Sequence, residues 1–290
     1  GSSGPAPAKA SVEYFHDHGL KIEADEIFVS DGSKGDCGAA LDILGDSNRI
    51  GITDPVYPVY VDTNVMTGHT GPARSDGSYE GLTYLPGNAA NGFVPAVPSG
   101  GGGGSEKLDV VYLCYPNNPT GAMITRAQLE AWVKYALANN TIILYDVAYQ
   151  AYIRESGLPR SIYEVPGARG CAMEFHSFSK DGGFTGVRCG YTVCPKDLCP
   201  FTRDGKKVPL HGLWNRRWST KSNGVSYVVQ RAAEALYSSE GRSQIKTLID
   251  HYMMNAKILR QGCEAMGLQV FGGVNAPYVW VQCPDGLNSW

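Results

Sequence analysis

Apolar positions along this chain follow two alternating rhythms. Residues 9–18 (KASVEYFHDH) space their apolar side chains as a helix does and stop at Gly19, a residue suited to a helix C-terminus. Glu26-Ile27-Phe28-Val29-Ser30 reads as a short buried strand running into Asp31-Gly32-Ser33-Lys34, after which the pattern predicts a helix over 33–44. Residues 49–53 repeat the strand signal. Asp54-Pro55-Val56-Tyr57-Pro58 then opens another helix, because a proline in a first turn gives up no hydrogen bond. Residues 67–107 carry little pattern, and the run of Gly100 to Gly104 with Ser105 reads as a flexible linker, without the Lys-Ser/Thr ending of a phosphate-binding loop. From Leu108 the rhythm sharpens into strand 108–114, helix 125–139 with Thr125 as its cap, and strands 141–145, 171–178 and 186–193. Residues 218–238 and 240–262 read as two helices, the second long and amphipathic. Residues 271–273 and 278–281 begin a different pattern, strands of a second, smaller domain. Short strands alternating with helices predict the α/β class: a three-layer αβα domain over residues 1–250. A connecting helix and the beginning of a smaller α/β domain follow over 251–290.

Composition narrows the classes of function. A chain of 290 residues can build one large core, or one large domain and part of a second. With 18% charged residues and a net charge of −3, nothing electrostatic points to nucleic acid, and no apolar run reaches membrane-helix length. Thirty-six glycines beside 43% hydrophobic residues suggest tight turns and close backbone approaches rather than disorder. The eight cysteines form no CxxC pair, and several sit in apolar runs, so reduced buried thiols are expected in place of disulfides or metal ligation. His16-Asp17-His18, the only histidine cluster, reads as a solvated helix end with no third metal ligand nearby. Gly1-Ser2-Ser3-Gly4 reads as an added scar or loop remnant, and no targeting signal is visible.

The chemistry gathers at 177–190, SFSKDGGFTGVRCG. One lysine, Lys180, stands between the hydroxyls of Ser177 and Ser179 and the guanidinium of Arg188, among glycines that let a backbone approach something bound. A lysine so flanked suits a Schiff base with an aldehyde cofactor, the hydroxyls and arginine holding an anionic group nearby. Asp146 follows directly on a buried apolar run, a costly place for a carboxylate unless it is paired. Pyridoxal phosphate asks for a lysine, a carboxylate for its ring nitrogen, donors for its ring oxygen and cationic donors for its phosphate. The chain offers Lys180, Asp146, Asn118 with Tyr149, and Ser33, Ser177, Ser179 with Arg188, all at strand ends or the turns after them. The glycines at 182–190 do not form a GxGxxG that opens a helix, so a dehydrogenase finds no support.

Six phrases resemble the class I/II aminotransferases of fold type I, and within them the branch acting on LL-diaminopimelate. They are SDGSKGD (30–36), DPVYPVYVD (54–62), YPNNPTGA (115–122), YDVAYQAYI (145–153), SFSKDGGFTGVRCGYTV (177–193) and NAPYVWV (275–281), spread over nearly the whole chain. The resemblance implies a mostly parallel mixed sheet, pyridoxal 5'-phosphate as cofactor, and ping-pong amino transfer through a Lys180 Schiff base. The expected substrates are LL-diaminopimelate and 2-oxoglutarate, in lysine biosynthesis. A sister aminotransferase acting on lysine or another L-amino acid, or a cofactor-binding fragment without turnover, are the alternatives. By the same resemblance Lys180, Asp146 and Tyr149 are catalytic, Ser33, Ser177, Ser179 and Arg188 anchor phosphate, and Tyr57 stacks on the ring. Asn118 and Tyr149 reach the ring oxygen, and Asn223 touches cofactor and substrate. Lys34, which also belongs to the cofactor set, contacts the substrate side with Tyr57 and Asn118; no metal is implied. The partners implied are small amino and 2-oxo acids and a second copy in a homodimer with its sites at the interface. The compartment would be the plastid stroma in a plant or alga and the cytoplasm otherwise. Three departures stand out: Asp181-Gly182 after the lysine, expected to set an extra negative charge beside the Schiff base; Gln150 where an acid is common; and the glycine-rich insert. The family's N-terminal segment, and the arginine that clamps the substrate α-carboxylate, are expected to lie outside residues 1–290.

Overall fold

Period-two alternation in the central strands divides their side chains between two cores. Strand β4 (Val110–Cys114) sends Val111 and Leu113 to one face and Val110, Tyr112 and Cys114 to the other; β5 (Ile142–Asp146) does the same with Ile143 and Tyr145 against Ile142 and Leu144. Both faces are therefore covered by helices, which is why these strands read as unbroken apolar runs. The computed structural model describes residues 6–98 and 107–289; the expectations at 1–4 and 100–105 lie outside them. Helices α1 (Ala6–Asp17) and α4 (Arg126–Asn139) contribute to one core, and α2 (Ser33–Ala39), α3 (Val59–Met66) and α6 (Leu210–Lys221) to the other. This is a three-layer α/β domain.

The sheet has seven strands in the order β1-β7-β6-β5-β4-β2-β3. The remaining strands are β1 (Ile27–Ser30), β2 (Ile50–Asp54), β3 (Leu82–Pro86), β6 (Ala172–Ser177) and β7 (Gly190–Val193). Only β7 runs against its neighbours β1 and β6; every other pair is parallel. Cys114 pairs with Asp146, and Asp146 with Phe175, so the C-terminal ends of β4, β5 and β6 lie side by side. The four-residue helix α5 (Phe178–Asp181) starts directly from β6, capped by the Ser177 hydroxyl, which accepts a hydrogen bond from the Ser179 N–H.

Several boundaries differ from the sequence reading. Strand β3 lies in the stretch that showed no pattern; it is an edge strand paired to β2 alone and only half covered, so its apolar signal is weak. Helix α3 begins at Val59, with Pro58 at its cap and Pro55 in the turn before. The helix expected over 33–44 ends at Ala39 and continues as a tighter 3-10 turn, Ala40–Ile43. The single helix expected over 218–238 is two, α6 and α7 (Tyr227–Ala235), parted at Ser222-Asn223-Gly224, where Gly224 has a φ of 89°. Strand β7 starts only at Gly190, because the preceding residues form a loop in which Arg188 has a φ of 61°. Thr125 does cap α4: its hydroxyl accepts from the Gln128 N–H while the Gln128 side chain accepts from the Thr125 N–H.

Helix α8 (Ser239–Ala265) leads to a two-stranded antiparallel hairpin, β8 (Val270–Gly272) and β9 (Val279–Val281). The hairpin docks on the layered body. The buried Asn275 carbonyl accepts from the N–H groups of Arg154 (2.9 Å) and Glu155 (3.1 Å). A Cβ on Gly272 would run into the Thr120 carbonyl oxygen, so the hairpin backbone abuts the turn after β4. Among the described residues no helix is long and apolar enough to cross a membrane.

Candidate active site

A pocket of about 160 Å³ opens where the parallel strands end. Ser33, Lys34, Tyr57, Asn118, Asp146, Tyr149, Ser177, Ser179, Lys180 and Arg188 line it together. Every residue assigned to the cofactor or substrate from the sequence is thus brought to one place except Asn223, which is exposed in the turn between α6 and α7. Tyr60, Cys114, Ala148 and Thr185 also line the pocket and were missed. The available signal was spacing: Tyr60 follows Tyr57 by three residues, and the two ring centroids lie 6.0 Å apart.

Asp146 is the buried centre of this pocket. Its Oδ2 accepts from the Tyr60 hydroxyl at 2.8 Å and lies 3.8 Å from Cys37 Sγ, and its Oδ1 accepts from the Ala148 N–H at 3.0 Å. Among the described residues no Lys, Arg or His stands within ion-pair distance of it. Burial accordingly pushes its pKa up, with the Tyr60 and Ala148 hydrogen bonds working against that rise. Tyr60 is in turn stacked on Tyr112, with ring centroids 5.0 Å apart, so the hydroxyl aimed at Asp146 has little freedom to swing.

At the other end the pocket is a cationic cradle. Arg188 Nη1 donates to Ser179 Oγ at 2.7 Å, and no carboxylate pairs with Arg188 among the described residues. Gly32, with a φ of 125°, makes room for it: a Cβ there would sit 2.5 Å from Arg188 Nη2 and 3.9 Å from Ser177 Oγ. Lys180 lines the same pocket. Its Nζ lies 5.7 Å from the centre of the Tyr149 ring and makes no hydrogen bond or ion pair among the described residues. Lys34 Nζ is 5.6 Å from the centre of the Tyr57 ring, near the mouth.

Asp181 corrects one expectation. It does not stand beside Lys180 in the pocket but lines a neighbouring cavity of about 280 Å³, with Tyr14, Gln150 and Phe178. Successive residues on a helix point about 100° apart, so α5 sends the two side chains to different sides. Gln150 faces the same neighbouring cavity, where its amide donates to the Tyr14 hydroxyl.

These features fit pyridoxal phosphate. A protonated ring nitrogen would supply the cation that Asp146 lacks, a phosphate the anion that Arg188 and the serines lack, and an aldehyde a partner for the unengaged Lys180.

Comparison with known proteins points the same way. The profile described as "Aminotransferase class I and II" matches residues 5–287. The L,L-diaminopimelate aminotransferase from Chlamydomonas reinhardtii is 41% identical, with a TM-score of 0.89; the match covers 98% of this chain and 69% of that one. The substrate-bound BacF structure from Bacillus subtilis has 22% identity and a TM-score of 0.79, covering 98% of this chain and 67% of BacF. An aminotransferase from Staphylococcus aureus has 19% identity and a TM-score of 0.80, covering 100% of this chain and 70% of that one. At such identities these last two show the fold alone.

Proposed function

The chain belongs to the class I and II aminotransferases, which work with pyridoxal phosphate, and from that premise we propose that it transfers the amino group of LL-diaminopimelate to 2-oxoglutarate as a step of lysine biosynthesis. For the donor, one observation carries the proposal: 41% identity over 98% of this chain to the Chlamydomonas protein whose name states it.

When bound, the cofactor supplies an electron sink that makes the α-proton of an amino acid acidic. Lys180 would hold the cofactor through its aldehyde and would be the base that moves that α-proton. Asp146, aimed by Tyr60, would hold the proton on the ring nitrogen. Asn118 and Tyr149 would donate to the ring oxygen, and Tyr57 would cover a ring face. Ser33, Ser177, Ser179 and Arg188 would hold the phosphate, while Lys34, Tyr57 and Asn118 would face the substrate. Asn223 keeps its role of touching cofactor and substrate, which from its place outside the pocket it would fill in a second copy across a homodimer interface. Its neighbours Tyr227 and Val228 support this, since they are 73% and 74% exposed and a second copy would cover them.

Adding pyridoxal phosphate should raise a visible absorption band that Lys180→Ala lacks. LL-diaminopimelate and lysine, offered side by side with 2-oxoglutarate, should give glutamate faster from the former. Preference for lysine would overturn the donor, and a band without amino transfer would mark a binder in place of a working transaminase.

A further inference from the structure

We propose that Tyr278, carried in from the β8–β9 hairpin, is a positioning residue that acts on the cofactor's ring oxygen through Tyr149. The inference rests on the pyridoxal phosphate reading above and adds a residue to it. The hydroxyls of Tyr149 and Tyr278 are hydrogen-bonded to each other, and the two rings meet edge to face with centroids 5.1 Å apart at 70°. Tyr149 is buried, and its hydroxyl has no other hydrogen-bond partner among the described residues. Tyr278 itself is not part of the pocket lining. It meets the site through Tyr149.

The order of the protons follows from the inventory of a phenol: one O–H to give and lone pairs to receive. In the pair alone, either hydroxyl can be the donor. Once Tyr149 gives its proton to a ring oxygen in the pocket, only Tyr278 can supply the hydrogen between them. A hydroxyl that accepts a hydrogen bond donates a stronger one in turn, so Tyr278 strengthens the grip of Tyr149 on the ring oxygen.

The hairpin is anchored firmly enough for this. Ala276 is fully buried, and Asn275 is held by the backbone of Arg154 and Glu155 and donates to the Glu155 carboxylate. Gly121 lies against the Tyr278 backbone, where a Cβ would meet the Tyr278 carbonyl oxygen at 2.6 Å. That glycine closes the turn bearing Asn118. One hairpin therefore sets both ring-oxygen donors: Asn118 by backbone contact with its turn, and Tyr149 by a hydroxyl.

The test is a pH titration of the visible band of the cofactor-loaded protein, for wild type, Tyr278→Phe, Tyr149→Phe and the double variant. A donor on the ring oxygen draws off negative charge that otherwise favours a proton on the neighbouring lysine nitrogen. Weakening that donor raises the midpoint. Tyr278→Phe should move it up by about half a pH unit, and Tyr149→Phe further. The double variant should match Tyr149→Phe, because Tyr278 acts only through Tyr149. Phenylalanine keeps the ring, so a packing role alone leaves the midpoint unmoved; thermal melting checks that the variant is folded. An unshifted Tyr278→Phe, or a double variant displaced beyond Tyr149→Phe, overturns the inference while the wild-type band upholds the cofactor reading. A wild type with no band removes both.

Discussion

Asp146 is a carboxylate held by a tyrosine, an amide and a thiol, with no cation, at a depth where burial raises its pKa. Such a group is a burden on the cofactor-free protein and an asset once a cation arrives. Asp146→Asn removes the charge and keeps an oxygen for Tyr60. The cofactor-free variant should melt no lower than wild type near neutral pH, while amino transfer falls by at least about a hundredfold. Melting curves and steady-state rates on the same preparations check both halves; a much lower melting temperature would mean the carboxylate is structural. The position of Asp146 was legible, since a charge at the end of an apolar run stands out. Tyr60 was not, because an aromatic at a helix start looks like packing until the carboxylate 86 residues away is seen beneath it.

At the scale of elements, the strands and caps were the readable part. Buried parallel strands announce themselves by unbroken apolar runs, and the Thr125 and Gln128 pair is a local signal. The break between α6 and α7 was hidden, since Ser222-Asn223-Gly224 interrupts a pattern that otherwise stays helical on both sides. The pattern at 271–281 reads as the beginning of a smaller domain and carries no sign of where the hairpin docks. That docking hangs on Asn275: Asn275→Ala leaves two backbone N–H groups without their acceptor, a loss of about 1–3 kcal/mol. Amide hydrogen exchange should speed up over 270–281 while the strands of the main sheet stay protected. Unchanged exchange there would show that the hairpin is held by other contacts.

The whole molecule should respond to pH through carboxyls that burial holds protonated. Asp36 accepts from the Ser30 hydroxyl at 2.5 Å and from Thr192 at 2.7 Å, has no ion-pair partner among the described residues, and is pushed by burial to about 7. Asp181, more exposed and so the weaker contributor, is pushed by burial to about 6. In the unfolded chain both revert to about 3.9, so between there and 6–7 the folded chain binds more protons. Their contribution to stability is therefore complete below the unfolded value and is lost as pH rises through about 6 and then about 7. The cofactor-free protein should melt at a lower temperature at pH 8 than at pH 5, and Asp36→Asn should lessen that slope, part of which stays with Asp146, whose pKa burial also raises. A variant with the wild-type slope would remove Asp36 as its source.

By itself the amino-acid sequence determined the strand–turn–helix units and the chemical groups standing at their ends, because periodicity and side-chain type are properties of neighbours along the chain. Tertiary structure alone decided three things: that Asp181 turns away from Lys180, that Tyr60 reaches Asp146, and that Tyr278 meets Tyr149 across 129 residues. Each depends on where a side chain points once distant elements are packed, and a linear pattern carries no record of that direction.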